Sequence, residues 1–329
     1  MNKKRICIVG AGAIGLDLAW HLIKASFQVS IVARGRALEV LRVEGIRRID
    51  SIGGHVKCDD FFVTDDFRSV GTYDINFLCT RVDDLLSLSP QIKNLMHSAS
   101  VVISCTNGIP PWYSHDQDDT IGRFTFPLEP RNNFLSAIPS QQLIGAVVER
   151  SVQLSETGVI KEASGKGFVL GEIDHNKSSR LIEIEEILIS SGLGCRLSEN
   201  IHKDIWLKLI LNIAINPLNV LSEGSIGQML EDDSILDRID GILGEATLVG
   251  VRLGIIKLSD FNKKEFLTFA RNNLAHHKSS MLQNYLQGRA LEIHRIVEVV
   301  QMLARSPGPE PIVETPYIDR LLIDLYEKI

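Results

Sequence analysis

The sequence predicts an α/β domain followed by an all-α domain, and three observations carry that expectation. Short apolar runs alternate with helical periodicity through the first half, a glycine-spaced turn joins the first strand to the first helix, and only helical patterns follow about Asn200. At 329 residues, 44% hydrophobic and 23% charged, the chain is long enough for two folded cores, divided here into residues 1–199 and 200–329.

The first element is a strand over Ile6-Cys7-Ile8-Val9, a continuous apolar run of the kind buried on both faces of a parallel sheet. Gly10-Ala11-Gly12-Ala13-Ile14-Gly15 follows at once, and behind it Ile14, Leu18, Leu22 and Ile23 recur at helical spacing. Strand, glycine turn and helix are the setting in which G-x-G-x-x-G holds a dinucleotide in a Rossmann-like domain. The first glycine turns the chain, the second lets backbone approach a pyrophosphate, and the third lets helix pack on strand. The anion then lies on the helix N-terminus, where N–H groups and the dipole favour negative charge. A tight turn in an ordinary βα unit is the competing reading.

The second strand is expected over Phe27 to Ala33. At its end an NAD-binding protein usually carries an acid for the ribose 2′-hydroxyl. Here the chain reads Arg34-Gly35-Arg36, with no acid until Glu39. A guanidinium pairs bidentately with phosphate oxygens, so NADP(H) is favoured over NAD(H). A solvated basic loop would read the same way.

Further along, residues 45–63 suggest a hairpin hinged on Gly53-Gly54. Tyr73 to Thr80 and Ser100 to Thr106 read as strands separated by a helical stretch over Asp83 to His97. Residues 109–140 carry five prolines and little periodicity, as expected of an insertion. Leu143 to Glu172 shows β-branched runs broken by Gly158, Gly165 and Gly167, which suggests antiparallel strands, and a helix is expected over Arg180 to Ser191. The helical half then reads as Ile201–Leu221, Ser234–Leu253, Lys263–Asn272 and two more helices before Tyr326, with the Pro/Gly-rich run 306–311 as a loop between the last two.

Net charge is −6, from 35 basic and 41 acidic residues, and no basic stripe stands out, so nucleic acid is not an expected partner. The cysteines Cys7, Cys58, Cys79, Cys105 and Cys195 show no C-x-x-C spacing, and Cys7, Cys79 and Cys105 fall in expected core strands. A reducing cytoplasm suits them. No signal peptide is expected before the first strand, no apolar run approaches a membrane span, and nothing asks for a metal.

In a doubly wound sheet, ligands bind beyond the carboxyl ends of the strands. The glycine turn, Thr80-Arg81 and Asn107-Gly108 leave expected strands at that edge, which directs Arg81 and Asn107 to a cofactor or substrate. A surface arginine and a turn chosen for positive φ are the alternatives. In the helical half, Lys208, Asn212 and Asn216 recur every fourth residue among Trp206, Leu207, Leu209, Ile210, Leu211, Ile213 and Ile215. An ammonium and two amides on so apolar a helix need partners, which an enzyme would supply as a bound anion, a reacting carbonyl and cofactor hydroxyls. Alternatively the three face solvent. Pro217 is expected to kink or end the helix near Asn216. Taken alone, Glu292 beside Arg289, and His294 after it, read as surface residues.

Together these segments resemble the ketopantoate reductase (2-dehydropantoate 2-reductase) family over nearly the whole chain. The marks are GAGAIG at Gly10–Gly15, Asn107-Gly108, the W-x-K-L-x-x-N-x-x-x-N-P helix at Trp206–Pro217, S-M-L-Q at Ser280–Gln283 and G-R-x-L-E-I at Gly288–Ile293. The run Asn107-Gly108-Ile109-Pro110-Pro111-Trp112-Tyr113 resembles a larger-bodied subgroup. The resemblance implies NADPH-dependent reduction of ketopantoate to pantoate, a step towards pantothenate and coenzyme A, with the active site in the cleft between domains. It implies that Lys208 polarises the ketone and supplies the proton, that Asn212, Asn216 and Ser280 hold the substrate's oxygens, that Glu292 binds its hydroxyl, and that Asn107 touches the nicotinamide ribose. Arg81 stands where many members have lysine, and His294, Val297 and Glu298 depart from the common continuation. A reductase of another branched 2-keto acid and a non-catalytic NADP(H)-binding regulator are the other readings; a homodimer is compatible with all three.

Overall fold

The computed structural model describes residues 4–113, 133–305 and 312–329. Among the described residues, contacts divide the chain into an N-terminal unit that runs to Ile201 and a C-terminal unit that begins at His202. The N-terminal unit is a curled α/β sheet and the C-terminal unit is helical, as its sequence periodicity requires.

The sheet is seeded by β1 (Arg5–Val9), whose four apolar residues are fully buried. It continues through α1 (Ala13–Lys24), β2 (Gln28–Val32), α2 (Gly35–Glu44), β3 (Ile46–Ile49), β4 (His55–Cys58), β5 (Phe62–Thr64), β6 (Tyr73–Leu78), α3 (Val82–Ile92) and β7 (Met96–Ser104). After a short α4 (Asn133–Ala137) come β8 (Leu143–Glu156), β9 (Val159–Glu172), α5 (Ser179–Ser190) and β10 (Cys195–Leu197). Among the described residues the strand order is β4-β3-β9-β8-β7-β6-β1-β2-β5, with β10 beside β9. β7, β6, β1, β2 and β5 are mutually parallel, and β8 joins β7 in parallel before turning antiparallel into β9. The chain leaves β1 toward β2 on one side and returns as β6 on the other. The carboxyl ends of β1 and β6 therefore form the topological switch point, where crevices open in such sheets.

Three sequence expectations are revised here. The hairpin is real, pairing Ile46 with Cys58 and Ile49 with His55, but it stops there; Phe62–Thr64 crosses to the opposite sheet edge against β2. The helix expected to reach His97 ends at Ile92, because Met96 already opens a nine-residue strand. Of the expected insertion, Ile109 to Tyr113 is fully buried, with the Trp112 ring against Gly145 of β8. The greater part of that insertion, 114–132, lies outside the described residues, as does the 306–311 segment.

The helical unit consists of α6 (Ile201–Ser222, entered from the last residue of the first unit), α7 (Ile226–Met229), α8 (Asp233–Arg252), α9 (Lys263–Asn273), α10 (Ser280–Leu286), a π turn (His294–Glu298) running into α11 (Val299–Arg305), and α12 (Pro316–Lys328). Among the described residues three helical segments thus come after Asn273, where two were expected. Pro217 neither ends nor caps α6, which continues to Ser222. Its missing N–H costs one backbone bond, and the burial of Ile213, Ala214, Leu218 and Val220 around it offsets the loss. At 22 residues α6 is also long and apolar enough to cross a membrane, contrary to the sequence expectation, but 67% of its most apolar stretch is buried inside the protein. A core helix meets the same criterion.

Candidate active site

The glycine turn shows why each glycine is there. Gly10 has φ +112°, and a Cβ on it would lie 2.7 Å from the Cys79 carbonyl oxygen of the neighbouring strand end. A Cβ on Gly15 would lie 2.0 Å from the Gly10 oxygen, so helix and turn touch only because the side chain is missing. Gly12 is different: a Cβ there meets no protein atom within 4 Å. Gly12 is the exposed N-cap of α1, with no side-chain cap and no acid in the first turn. Ala11, Ala13 and Ile14 beside it are half-buried. The helix N–H groups and the open approach over Gly12 fit a pyrophosphate, which needs backbone close by and partial positive charge.

Ladder hydrogen bonds continue past the strands and align the neighbouring loops. The Gly10 N–H donates to Val32 O at 2.9 Å, Cys79 N–H to Val9 O at 2.8 Å, and Cys105 N–H to Leu78 O at 3.0 Å. Arg34, Arg81 and Asn107 consequently leave the same sheet edge as the glycine turn. Arg34 is the exposed N-cap of α2, Arg81 the exposed N-cap of α3, and Asn107 is half-buried before Gly108, whose φ is +71°. Asp84, in the first turn of α3, was not singled out from the sequence. It accepts from Arg34 Nη2 at 2.5 Å and from Arg81 Nε at 3.4 Å, and so draws the two arginines together. The i,i+3 spacing of Arg81 and Asp84 is visible in sequence; the contact across 50 positions to Arg34 is not.

In the helical unit, Trp206 fixes how α6 is rotated. Its indole N–H donates to Ala246 O at 3.2 Å, and the ring lies against Gly250 of α8, where a Cβ would come within 2.1 Å. Lys208 is two residues on, about 200° around the helix. It falls with Asp204 and Asn212 on the half-buried face, while Ile205, Leu209, Ile210 and Ile213 are buried. Asn216, two turns from Lys208 in the same row, is 9% exposed.

Ser280 approaches this row through its neighbour. Ser279 caps α10 by accepting from Leu282 N–H at 3.1 Å, and its N–H donates to Asn219 Oδ1 at 2.9 Å. The Ser279 hydroxyl also donates to Asn216 O at 3.4 Å. Asn219 is fully buried and donates from Nδ2 to Gly224 O at 3.0 Å, so one amide joins the start of α10 to the end of α6. Neither Ser279 nor Asn219 stood out in the sequence, since a buried amide inside a helix looks like any other asparagine. Glu292 is half-buried just before the π turn, and its carbonyl accepts from Arg295 N–H at 3.2 Å. π turns interrupt helices disproportionately at functional sites. Among the described residues no cluster of His, Cys, Asp and Glu could hold a metal.

Comparisons with known proteins bear on the family and the fold. Residues 6–175 match the family model described as ketopantoate reductase PanE/ApbA, and residues 200–325 match that of the ketopantoate reductase PanE/ApbA C terminal. The chain is 30% identical to a 2-dehydropantoate 2-reductase of Mesorhizobium japonicum over 320 residues, 97% of this chain and 95% of that protein. A crystal structure of a protein described as a ketopantoate reductase, from Ralstonia solanacearum MolK2, superposes with TM-score 0.89 at 28% identity, covering 99% of this chain and 98% of that one. A ternary structure of D-mandelate dehydrogenase with NADH and anilino(oxo)acetate shares the fold, with TM-score 0.82 at 19% identity over 98% of this chain and 97% of that one. With both halves matched and the relatives spanned from end to end, the chain belongs to the ketopantoate reductase PanE/ApbA family of oxidoreductases.

Proposed function

We propose that the protein reduces a 2-keto acid with NADPH, and that ketopantoate, giving pantoate, is its substrate. The observation that carries the reading is the row Lys208, Asn212, Asn216 within the apolar middle of α6, with the α10 start that bears Ser280 hydrogen-bonded to the same helix.

In this reading Gly10, Ala11, Gly12, Ala13, Ile14 and Gly15 hold the pyrophosphate, Arg34 and Arg81 the 2′-phosphate, and Asn107 the ribose next to the nicotinamide. A nicotinamide bound there supplies the hydride to the keto carbon. Lys208 carries the proton: its ammonium donates a hydrogen bond to the keto oxygen. That bond strengthens as negative charge gathers on the oxygen, and the proton passes to it as the alcohol forms. Asn212, Asn216 and Ser280 hold the substrate's oxygens. Glu292 accepts the hydroxyl that distinguishes ketopantoate from simpler branched keto acids. The residue run Asn107–Tyr113 is what supports assignment to the larger-bodied subgroup.

A second reading, another branched 2-keto acid, draws on one departure. Val297 is buried, and Glu298 accepts the Tyr326 hydroxyl at 2.6 Å, so both are committed within the helical unit. His294 is half-buried two residues from Glu292 and gives the substrate's far end a different neighbour.

Initial rates with a panel of 2-keto acids, each with NADPH and NADH, separate the readings. Ketopantoate is expected to exceed its analogue lacking the hydroxyl by at least ~10²-fold in kcat/KM, because a site built for a hydroxyl is left unpaired without it. Equal rates for the two would remove Glu292 from substrate binding. Lys208→Ala is expected to lower kcat by roughly 10²–10⁴ with NADPH binding retained; wild-type turnover would take lysine out of the mechanism.

A further inference from the structure

Asp84 holds two arginines of this sheet edge at once. It lies in the first turn of α3, and its two carboxylate oxygens each take one guanidinium, Arg34 at 2.5 Å and Arg81 at 3.4 Å. Arg34 remains 71% exposed while Asp84 is 23% exposed, so the longer side chain leans from solvent onto a half-buried acid. The positive end of α3 stabilises that charge. The two cations best placed to receive a ribose 2′-phosphate are therefore already in contact with an acid from this chain.

We propose that Asp84 sets the degree of preference for a phosphorylated over an unphosphorylated dinucleotide, by competing with the 2′-phosphate for Arg34 and Arg81. This rests on the NADPH reading of the cofactor site. A phosphate reaching Arg34 must displace the carboxylate or share the guanidinium with it, and two anions side by side repel. An unphosphorylated ribose meets no such repulsion, and its 2′-hydroxyl can donate to the same carboxylate. Both effects act in one direction: Asp84 narrows the gap between the cofactors.

The test is the ratio of dissociation constants, NADH over NADPH, measured by equilibrium titration of the full-length protein at low salt. Asp84→Asn keeps the side chain's size and removes its charge; Asp84→Ala removes both and guards against a new amide contact. Each variant is expected to raise the ratio roughly three- to tenfold over wild type. An unchanged or lowered ratio in both overturns the proposal, and a lowered one means that Asp84 organises the arginines for phosphate. The two readings fail separately. A wild-type ratio near one that rises in Asp84→Asn overturns the NADPH preference while upholding the competition. A high wild-type ratio that does not move overturns the competition alone.

Discussion

Gly12 and Gly15 share a letter in the motif but answer to different constraints, and a methyl group separates them. At Gly15 the added carbon would collide with the Gly10 carbonyl at 2.0 Å, so Gly15→Ala must push α1 away from β1. Overpacking of that kind costs about 1–3 kcal/mol, read as a lower urea midpoint in the absence of any dinucleotide. At Gly12 the carbon meets open space, so Gly12→Ala is expected to leave the midpoint near wild type and to weaken dinucleotide binding instead. Equal losses of stability in the two variants would contradict this division. The motif was fully legible in sequence, because its parts are contiguous and their spacing carries the geometry. Arg34 was legible as a cation but not as half of an ion pair. Nothing local to Val32–Arg36 announces Asp84, which arrives from a different strand–helix connection. Lys208, Asn212 and Asn216 were legible for the opposite reason, a regular row of polar groups against an apolar background.

At the scale of elements, α12 illustrates a cap that no local signal encodes. Pro316 opens the helix, Thr315 supplies no side-chain cap, and the free N–H groups of Tyr317 and Ile318 donate to Glu245 Oε1 and Oε2 at 2.8 and 2.9 Å. Glu245 comes from the middle of α8, 7% exposed, and burial raises its pKa while the two N–H donors oppose the rise. Glu245→Ala leaves two N–H groups without their acceptor, one of them buried, and is expected to cost about 2–4 kcal/mol in denaturant unfolding. Amide exchange in residues 317–322 should accelerate more than in α6. Exchange rates that stay at wild-type values in α12 would show that packing, not the carboxylate, holds the helix start. The same limit explains the misread elements. Pro217 breaks helices by local rule, yet α6 is buried deeply enough to carry it. Phe62–Thr64 reads as the tail of a hairpin until the partner strand β2, more than thirty residues upstream, claims it. Alternation and turn chemistry locate strands; they do not say which edge a short strand joins.

For the molecule as a whole, the pH dependence of stability should expose a charge cluster inside the N-terminal unit. Asp17 is 1% exposed on α1, and Arg150 of β8 grips it through Nε and through Nη2 at 3.2 Å. Arg48 of β3 lies 3.9 Å from the same carboxylate. His21, one turn along α1, completes the group. The Ser191 carbonyl 3.0 Å from Nδ1 can only accept, so Nδ1 carries the proton; Nε2 then accepts from Arg150 Nη2 at 3.2 Å. This hydrogen-bond pattern belongs to neutral imidazole, because a second proton on Nε2 would face two guanidinium groups. Burial, the largest cause, and the charges of Arg150 and Arg48 lower the His21 pKa, against the Ser191 hydrogen bond and Asp17, which raise it. With its folded pKa below the ordinary 6.5, His21 takes up its proton more readily in the unfolded chain. Its contribution is therefore complete above pH 6.5 and is lost as pH falls from there toward the lowered folded value. Glu245, with its pKa raised above 4.5, acts in the opposite sense, while Asp59, Asp174, Asp232 and Asp260 lose their contributions below the ordinary aspartate value of 3.8. Urea midpoints measured from pH 7.5 to 5.5 should therefore decline, and the decline should be shallower in His21→Gln, whose amide can donate to Ser191 and accept from Arg150 without titrating. Wild type and variant declining in parallel would assign the slope to groups outside this cluster.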